Sequence, residues 1–147
     1  MSVALLDVNV LVSLFWDEHP HHAVCSEWFS QHQHAGWATC PLTEAGCARI
    51  MSNPAFSVRA PSFGEVVALL RQAAESSKTH QFWPANLPIT ALAALEYANL
   101  GHQQITDAYL LTLAVRRGGQ LVTTDPRIRE TLALGTHRES ALVVLSL

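Results

Sequence analysis

Short apolar runs alternate with longer helix-like segments along this chain, and this alternation restricts its fold more than any other feature. Strand-like runs occur as SVALLD, GWATC, HQFWPANLPI (broken by prolines), QLVTTD and LVVLSL. Runs this short and apolar are typical of strands buried in a sheet. Strands that alternate with helices form parallel sheets, so the pattern predicts an α/β domain with a central, mainly parallel sheet and helices on both faces.

The segments between the strands carry the signals of helices. SFGEVVALLRQAAESS is amphipathic, because its apolar residues recur at helical spacing. The stretch before it, NPAFSVRAPS, is rich in turn formers and predicts a loop. Further helices are predicted for VNVLVSLFW, for HPHHAVCSEWFSQHQ from near Pro20, for PLTEAGCARIMS, for TALAALEYANL up to Gly101, and for TDAYLLTLAVRRGG.

Composition favours one folded domain, residues 1–147. The chain is 49% hydrophobic and 14% charged, which argues against disorder. No apolar run is long enough to span a bilayer, and the N-terminal stretch lacks the basic region of a signal peptide, so we expect a cytoplasmic protein. The cysteines, Cys25, Cys40 and Cys47, form no C-x-x-C motif, which favours small buried residues over disulfides or a zinc ribbon.

Charge is distributed unevenly, although the net charge is only −3. No lysine or arginine occurs before Arg49, whereas five acids do. Arginines gather in the last third of the chain, at Arg116, Arg117, Arg127, Arg129 and Arg138. A polyanionic ligand could bridge the two regions if a cation screened the acids, but the arginines could equally lie on solvated helix faces.

Four acids lie at junctions between predicted strands and helices. Asp7 ends the first strand-like run, and Asp125 ends QLVTTD. Glu44 and Asp107 lie in the first turns of helices, each at the head of apolar residues spaced i+3, i+4 and i+7. Parallel sheets bind ligands outside the carboxyl ends of their strands. The positions of the acids are therefore those of a shared site at one sheet edge.

Each acid also has a purely structural interpretation. Thr43 and Thr106 resemble N-caps with an acid one residue on, where the helix dipole favours negative charge by roughly 0.3–1 kcal/mol. Asp125 precedes Pro126, an ordinary turn signal. Together, however, converging carboxylates would repel each other, and a divalent cation removes that penalty. Ligand sets made only of oxygen favour Mg²⁺ or Mn²⁺, and such a site predicts metal-assisted phosphodiester hydrolysis.

Three motifs carry the acids: LLDVNVLV with Asp7, TEAGCARI with Glu44, and ITDAYLLTLAVRRGGQLVTTD with Asp107 and Asp125. In this order they resemble the PIN-domain ribonucleases, and more narrowly the VapC-type toxins of bacterial toxin–antitoxin pairs. SNPAFS, FWP and LGHQQITDAYLL extend the resemblance to nearly the whole chain. The resemblance implies a PIN fold and Mg²⁺- or Mn²⁺-dependent endoribonuclease activity.

The resemblance also implies roles for individual residues. Asp7 and Asp107 would be the main metal ligands. Glu44 and Asp125 would complete the surroundings of the metal and orient the attacking water.

Other side chains are expected to assist these acids. The resemblance implies that Asn9 and Thr124 support the site through hydrogen bonds. The arginines nearest the acids, Arg49, Arg116 and Arg127, are candidates for contacts with substrate phosphates.

The resemblance implies partners as well: an RNA substrate, a second copy in a homodimer, and a small VapB-like antitoxin. The C-terminal segment of such an antitoxin wraps the toxin and blocks its site. The predicted helices SFGEVVALLRQ and PHHAVCSEWF could offer a groove for it, or they could be ordinary core helices.

Other classes fit the sequence less well. Haloacid-dehalogenase-type phosphatases need a second Asp at the position of Asn9, and both they and receiver domains need a late lysine, whereas the single lysine is Lys78. A PIN-like module that binds RNA or protein without cutting is the remaining alternative. The histidine-rich stretch Glu18–His22 lacks the i,i+4 pair of a helical zinc site, which favours a loop and a helix start.

Overall fold

The computed structural model describes residues 2–92, 100–134 and 139–147. The strands of this part are β1 (Ala4–Leu6), β2 (Trp37–Thr39), β3 (His80–Phe82), β4 (Gln120–Thr123) and β5 (Leu142–Val144). Its α-helices are α1 (Val8–Phe15), α2 (His22–His32), α3 (Pro41–Met51), α4 (Phe63–Ser76), α5 (Ile105–Arg116) and α6 (Ile128–Leu134). None of these helices is long and apolar enough to cross a membrane.

The strands form one parallel sheet in the order β3-β2-β1-β4-β5. The predicted α/β architecture is therefore confirmed. From β1 the chain builds β2 and β3 on one side of the sheet, and it then crosses to build β4 and β5 on the other. A reversal of this kind opens a crevice outside the carboxyl ends of the strands that flank it, here β1 and β4.

Helices cover both faces of the sheet, as predicted. Ala4 and Leu6 of β1 face a core that includes residues of α1, α2, α3 and α4. Leu5, between them, faces a second core in which α5 is the main helix. Every residue of α5 from 108 to 114 is buried, so the side chains of this helix anchor it against the sheet over two turns. The three cysteines are free and buried, in agreement with their predicted role as small core residues.

Two predicted helix caps are wrong. Cys40 is the N-cap of α3, because Pro41 occupies the first helical position, where its fixed φ and missing N–H are tolerated. Thr43 lies inside the first turn, and its hydroxyl contacts the Cys40 backbone N–H at 3.0 Å. Helix α5 begins at Ile105 with Gln104 at its N-cap, so Thr106 also lies within the first turn.

Two further segments have a structure that differs from the prediction or that was not predicted. Helix α6 follows Pro126 in a stretch for which no element is predicted, since seven residues are too few for a clear helical period. The predicted helix TALAALEYANL lies mostly outside the described residues, as does Arg138. The predicted strand HQFWPANLPI shortens to His80–Phe82 at the edge of the sheet, before Pro84.

Candidate active site

Asp7 lies directly after β1 and is buried, with 8% of its surface exposed. It is the N-cap of α1, and its Oδ1 accepts a hydrogen bond from the Val8 N–H at 2.8 Å. Its Oδ2 accepts a hydrogen bond from the Thr123 hydroxyl, also at 2.8 Å. Burial raises the pKa of Asp7, the two hydrogen bonds oppose that shift, and the charge of Asp125 adds to it. The sequence thus places a fixed and poorly solvated carboxylate at the end of the central strand.

Asn9 connects the start of α1 to the end of β4. Its side-chain N–H donates to the Thr123 hydroxyl at 3.0 Å, and its carbonyl oxygen accepts from the Thr124 backbone N–H at 3.0 Å. The predicted supporting pair of Asn9 and Thr124 is therefore in contact, although Thr124 contributes its backbone. Thr123 is the side chain that the sequence analysis missed. The signal that could have identified it is a polar residue at the last position of an apolar strand.

Asp107 lies half-buried in the first turn of α5. Burial, followed by the charges of Asp7 and Asp125, raises the pKa of Asp107 to about 6, while Arg127 opposes this rise. Asp107 lines a cleft of about 490 Å³ together with Asp125, Arg127, Glu130 and residues 101–104. The crevice expected from the strand order thus contains two of the predicted acids, and the charge of Asp7 contributes to the raised pKa of Asp107.

Asp125 is held by a neighbour in sequence, Arg127. The Arg127 Nε donates to Asp125 Oδ1 at 3.0 Å, and Nη2 donates to Oδ2 at 2.8 Å. The Arg127 backbone N–H also donates to Oδ1 at 3.0 Å. These hydrogen bonds with Arg127 lower the pKa of Asp125. The positive charge of Arg127 therefore already neutralises part of the negative charge of the cleft.

Glu44 lies beside the end of β2, apart from the other three acids. Its Oε2 accepts a hydrogen bond from the Thr39 hydroxyl at 2.7 Å. Burial and then the negative charge of Glu44 raise the pKa of Cys47, and the same charge opposes the fall that burial causes in the pKa of His80. Glu44 is not among the causes of the pKa shifts of Asp7 and Asp107. Within residues 2–92, 100–134 and 139–147, no three histidine, cysteine or acidic side chains are close enough to hold a metal ion. The structure thus couples three acids electrostatically and leaves Glu44 with partners of its own.

The three candidate arginines have different surroundings. Arg127 contacts Asp125 in the cleft. Arg49 is exposed in the last turn of α3. Arg116 follows Asp107 by nine residues along α5, about 13 Å along the helix axis, and donates to the Ala91 carbonyl oxygen at 3.4 Å. Of the three, the structure brings only Arg127 into the cleft with the acids.

The histidine-rich stretch forms the turn between α1 and α2. His22 Nδ1 lies 2.7 Å from the Ser13 carbonyl oxygen, and His19 Nδ1 lies 3.1 Å from the Ser13 hydroxyl. Glu18 pairs with Arg59 from the loop before α4. These contacts tie the turn to α1, in agreement with the predicted loop and helix start.

Comparison with known proteins agrees with this architecture. The profile of the PIN domain matches residues 4–133. Ribonuclease VapC39 of Mycobacterium tuberculosis is 44% identical over 134 residues, covering 90% of this chain and 95% of the relative. Ribonuclease VapC38 of the same organism is 44% identical over 123 residues, covering 84% and 85%, and Ribonuclease VapC44 is 34% identical over 137 residues, covering 92% and 95%. The chain therefore belongs to the PIN-domain family and, within it, to the VapC proteins.

Proposed function

We propose that this protein is a metal-dependent endoribonuclease and the toxin of a toxin–antitoxin pair. The observation that carries the proposal is the placement of a buried Asp7 at the end of β1 and of Asp107 and Asp125 in one cleft, where burial and the neighbouring acids raise the pKa of Asp7 and Asp107. Buried or half-buried carboxylates that repel each other favour a cation between them. The relatives named ribonucleases share a third or more of their residues with this chain over most of its length, which supports RNA as the substrate.

The donor set fits Mg²⁺ or Mn²⁺ in its chemistry, because it consists of carboxylate oxygens. Asp7 and Asp107 would be the principal ligands, and Asp125 would join them once its pairing with Arg127 loosens. Such an ion, when bound, lowers the pKa of water and stabilises charge on a phosphodiester.

The protein supplies the positioning. The hydroxyl of Thr123 donates to the Asp7 carboxylate, and Asn9 holds that hydroxyl, so Asp7 keeps one orientation. Glu44, fixed through Thr39, would orient the attacking water from the neighbouring strand end. Arg127 is placed to bind a substrate phosphate when it leaves Asp125, since its guanidinium is largely exposed.

We further propose that a VapB-like antitoxin binds the apolar groove between α3 and α4, with a volume of about 450 Å³. Ala48, Phe63 and Leu70 line its apolar part, and Glu44 at one end links it to the acidic edge. Of the two helices that could offer a groove, α4 lines this one together with α3, whereas α2 packs on α1. A segment bound in this groove would end near the active site. The homodimer and the cytoplasmic location stay predictions.

A second function has one observation in its favour. Among the described residues, the four acids do not come close enough together to hold a metal ion, and Arg127 forms an ion pair with Asp125. This combination is expected of a module that binds RNA or protein without cutting it. Metal-dependent cleavage separates the two functions.

The test is cleavage of a structured RNA pool by antitoxin-free protein in Mg²⁺ or Mn²⁺. EDTA and Asp107→Asn should each abolish cleavage. Asp17→Asn, which changes an acid with 93% of its side chain exposed, is the matched control and should cut like the wild type. Binding of RNA without cleavage in either metal would favour the silent module.

A further inference from the structure

Three side chains at the carboxyl end of β2 form a chain of hydrogen bonds. The Thr39 hydroxyl donates to Glu44 Oε2 at 2.7 Å and lies 2.9 Å from His80 Nε2. Thr39 ends β2, His80 begins β3, and Glu44 lies in the first turn of α3. The chain of contacts therefore joins β2, β3 and α3 through the last residue of β2, the strand next to β1.

The direction of these hydrogen bonds follows from the chemistry of the groups. A carboxylate only accepts, so the single hydroxyl proton of Thr39 points to Glu44. The hydroxyl oxygen must then accept from His80, which requires a proton on Nε2. Burial lowers the pKa of His80 although the charge of Glu44 opposes this, which favours the neutral ring with its lone pair on Nδ1. The neutral tautomer of His80 is thereby fixed.

Packing holds the His80 ring in place. The ring lies 4.5 Å from the ring of Trp37, its register partner across the parallel pair β2–β3. Trp37 is itself fixed, because its Nε1–H donates to the Ser77 hydroxyl at 3.0 Å and its ring meets the edge of Phe29 at 5.2 Å. The donor at Nε2 thus has little freedom to turn away from Thr39.

Burial makes the central hydroxyl hard to replace. Thr39 is 2% exposed, so water cannot take over its hydrogen bonds in either direction. The hydroxyl contacts Oε2 of Glu44, and no described residue donates to Oε1. One oxygen of Glu44 is therefore held by the protein while the other stays available for water or a metal.

We propose that Thr39 and His80 are positioning residues that orient the Glu44 carboxylate for its part in catalysis. This inference rests on the proposed nuclease function. A purely structural link between β2, β3 and α3 would instead affect stability alone, and variants can separate the two roles.

Thr39→Val and Thr39→Ser are the decisive pair, because valine keeps the shape of threonine and serine keeps its hydroxyl. The Val variant should lower kcat for RNA cleavage by about 10–100-fold with KM for RNA unchanged, as for other outer partners of metal-site residues. The Ser variant should stay near the wild type. Thermal melts in EDTA and circular dichroism check that both variants fold. A Val variant that folds and cuts like the wild type overturns the proposal.

The Glu44→Gln background shows whether Thr39 acts through Glu44. If it does, the double variant Thr39→Val, Glu44→Gln should have nearly the same kcat as Glu44→Gln alone. An equal loss in both backgrounds would mean that Thr39 acts elsewhere, which contradicts the proposal. Mn²⁺ titration of the RNA-free variants by calorimetry provides a second readout that does not depend on cleavage.

His80 offers a variant pair with less risk to the core. His80→Gln keeps an N–H donor near the Nε2 position, whereas His80→Phe keeps a ring against Trp37 but no donor. The Phe variant should have a kcat roughly 2–10-fold below that of the wild type, which corresponds to the loss of one neutral hydrogen bond. The Gln variant should have a kcat close to that of the wild type.

The hydrogen-bond chain also has a signature that needs neither metal nor RNA. ¹⁵N spectra of the imidazoles, with His80 assigned by its absence in His80→Gln, should show its proton on Nε2. A proton on Nδ1 would overturn the proposal. If the wild-type protein neither cuts RNA nor binds Mn²⁺, the proposed nuclease function fails. If the wild type and Thr39→Val are both active, only the positioning role of Thr39 fails.

Discussion

The first turn of α5 and the turn after β4 each bring an acid to the same cleft, and the two acids differ in what balances their charge. Asp107 has burial and two negative neighbours against it, and its pKa rises to about 6. Asp125, 18 residues later, accepts hydrogen bonds from Arg127, and these lower its pKa. The difference shows how a single cleft can combine a carboxylate that, among the described residues, lacks a positive partner of its own with one that an arginine neutralises.

The comparison predicts unequal losses of activity. Asp107→Asn should reduce RNA cleavage by more than about 100-fold, because it removes one of the two proposed principal metal ligands. Asp125→Asn should lose about 10-fold, because Asp125 must first leave Arg127 to take part. Single-turnover rates in Mn²⁺ measure both variants, with Asp17→Asn as the control. A greater loss in Asp125→Asn would reverse the assigned importance of the two acids.

The same comparison predicts a pH dependence of stability in EDTA. The folded pKa of Asp107 exceeds its unfolded value of 3.8, so the folded state binds the extra proton and stability falls as the pH rises from about 4 to about 6. The full shift corresponds to roughly 3 kcal/mol, which solvent screening at this half-exposed group reduces to about 1 kcal/mol.

Asp107→Asn should therefore melt about 2–4 °C above the wild type at pH 8 and close to it at pH 4. Asp125→Asn should show no such gain at pH 8, because it removes a carboxylate that Arg127 stabilises. Calorimetric melts across this pH range provide the measurement. Equal Tm values for wild type and Asp107→Asn at pH 8 would contradict the repulsion.

The smallest expected effect comes from removing the positive charge of Arg127. Arg127→Gln should tighten Mn²⁺ binding to the RNA-free protein by about 2–5-fold, because a positive charge leaves the cleft. The exposed Arg129 of α6 provides a matched control as Arg129→Gln. Weaker Mn²⁺ binding in Arg127→Gln would mean that Arg127 holds Asp125 in a geometry suited to the metal.

The sequence predicts those features that depend on local pattern. Alternating strands and helices are visible in the spacing of apolar residues, and the parallel sheet follows from them. Asp7 and Asp125 mark strand ends, and the first turns that carry Glu44 and Asp107 follow from helical phase. The pairing of Asp125 with Arg127 is also local, two residues apart, and a D-P-R turn could have suggested it.

Contacts between distant segments are invisible to such reasoning. Thr123 meets Asp7 across 116 residues, and Thr39 meets His80 across 41. Threonine is common in buried strands, so a polar residue at the end of an apolar strand marks Thr123 as a candidate but does not identify its partner before the register of the sheet is known. The hydrogen bond that gives Glu44 a partner in Thr39 is likewise not determined by a pattern of acids at strand ends.

The double hydrogen bonding of Asp7 has a consequence for how cells could escape such a toxin. Asp7→Ala would remove both the cap of α1 and the acceptor for Thr123, at a cost of about 1 kcal/mol for the cap alone. We expect this escape mutation to lower the amount of folded protein as well as its activity. Under the proposed pairing with an antitoxin, Asp107→Asn would leave a folded decoy that still binds the antitoxin and so releases any active copies.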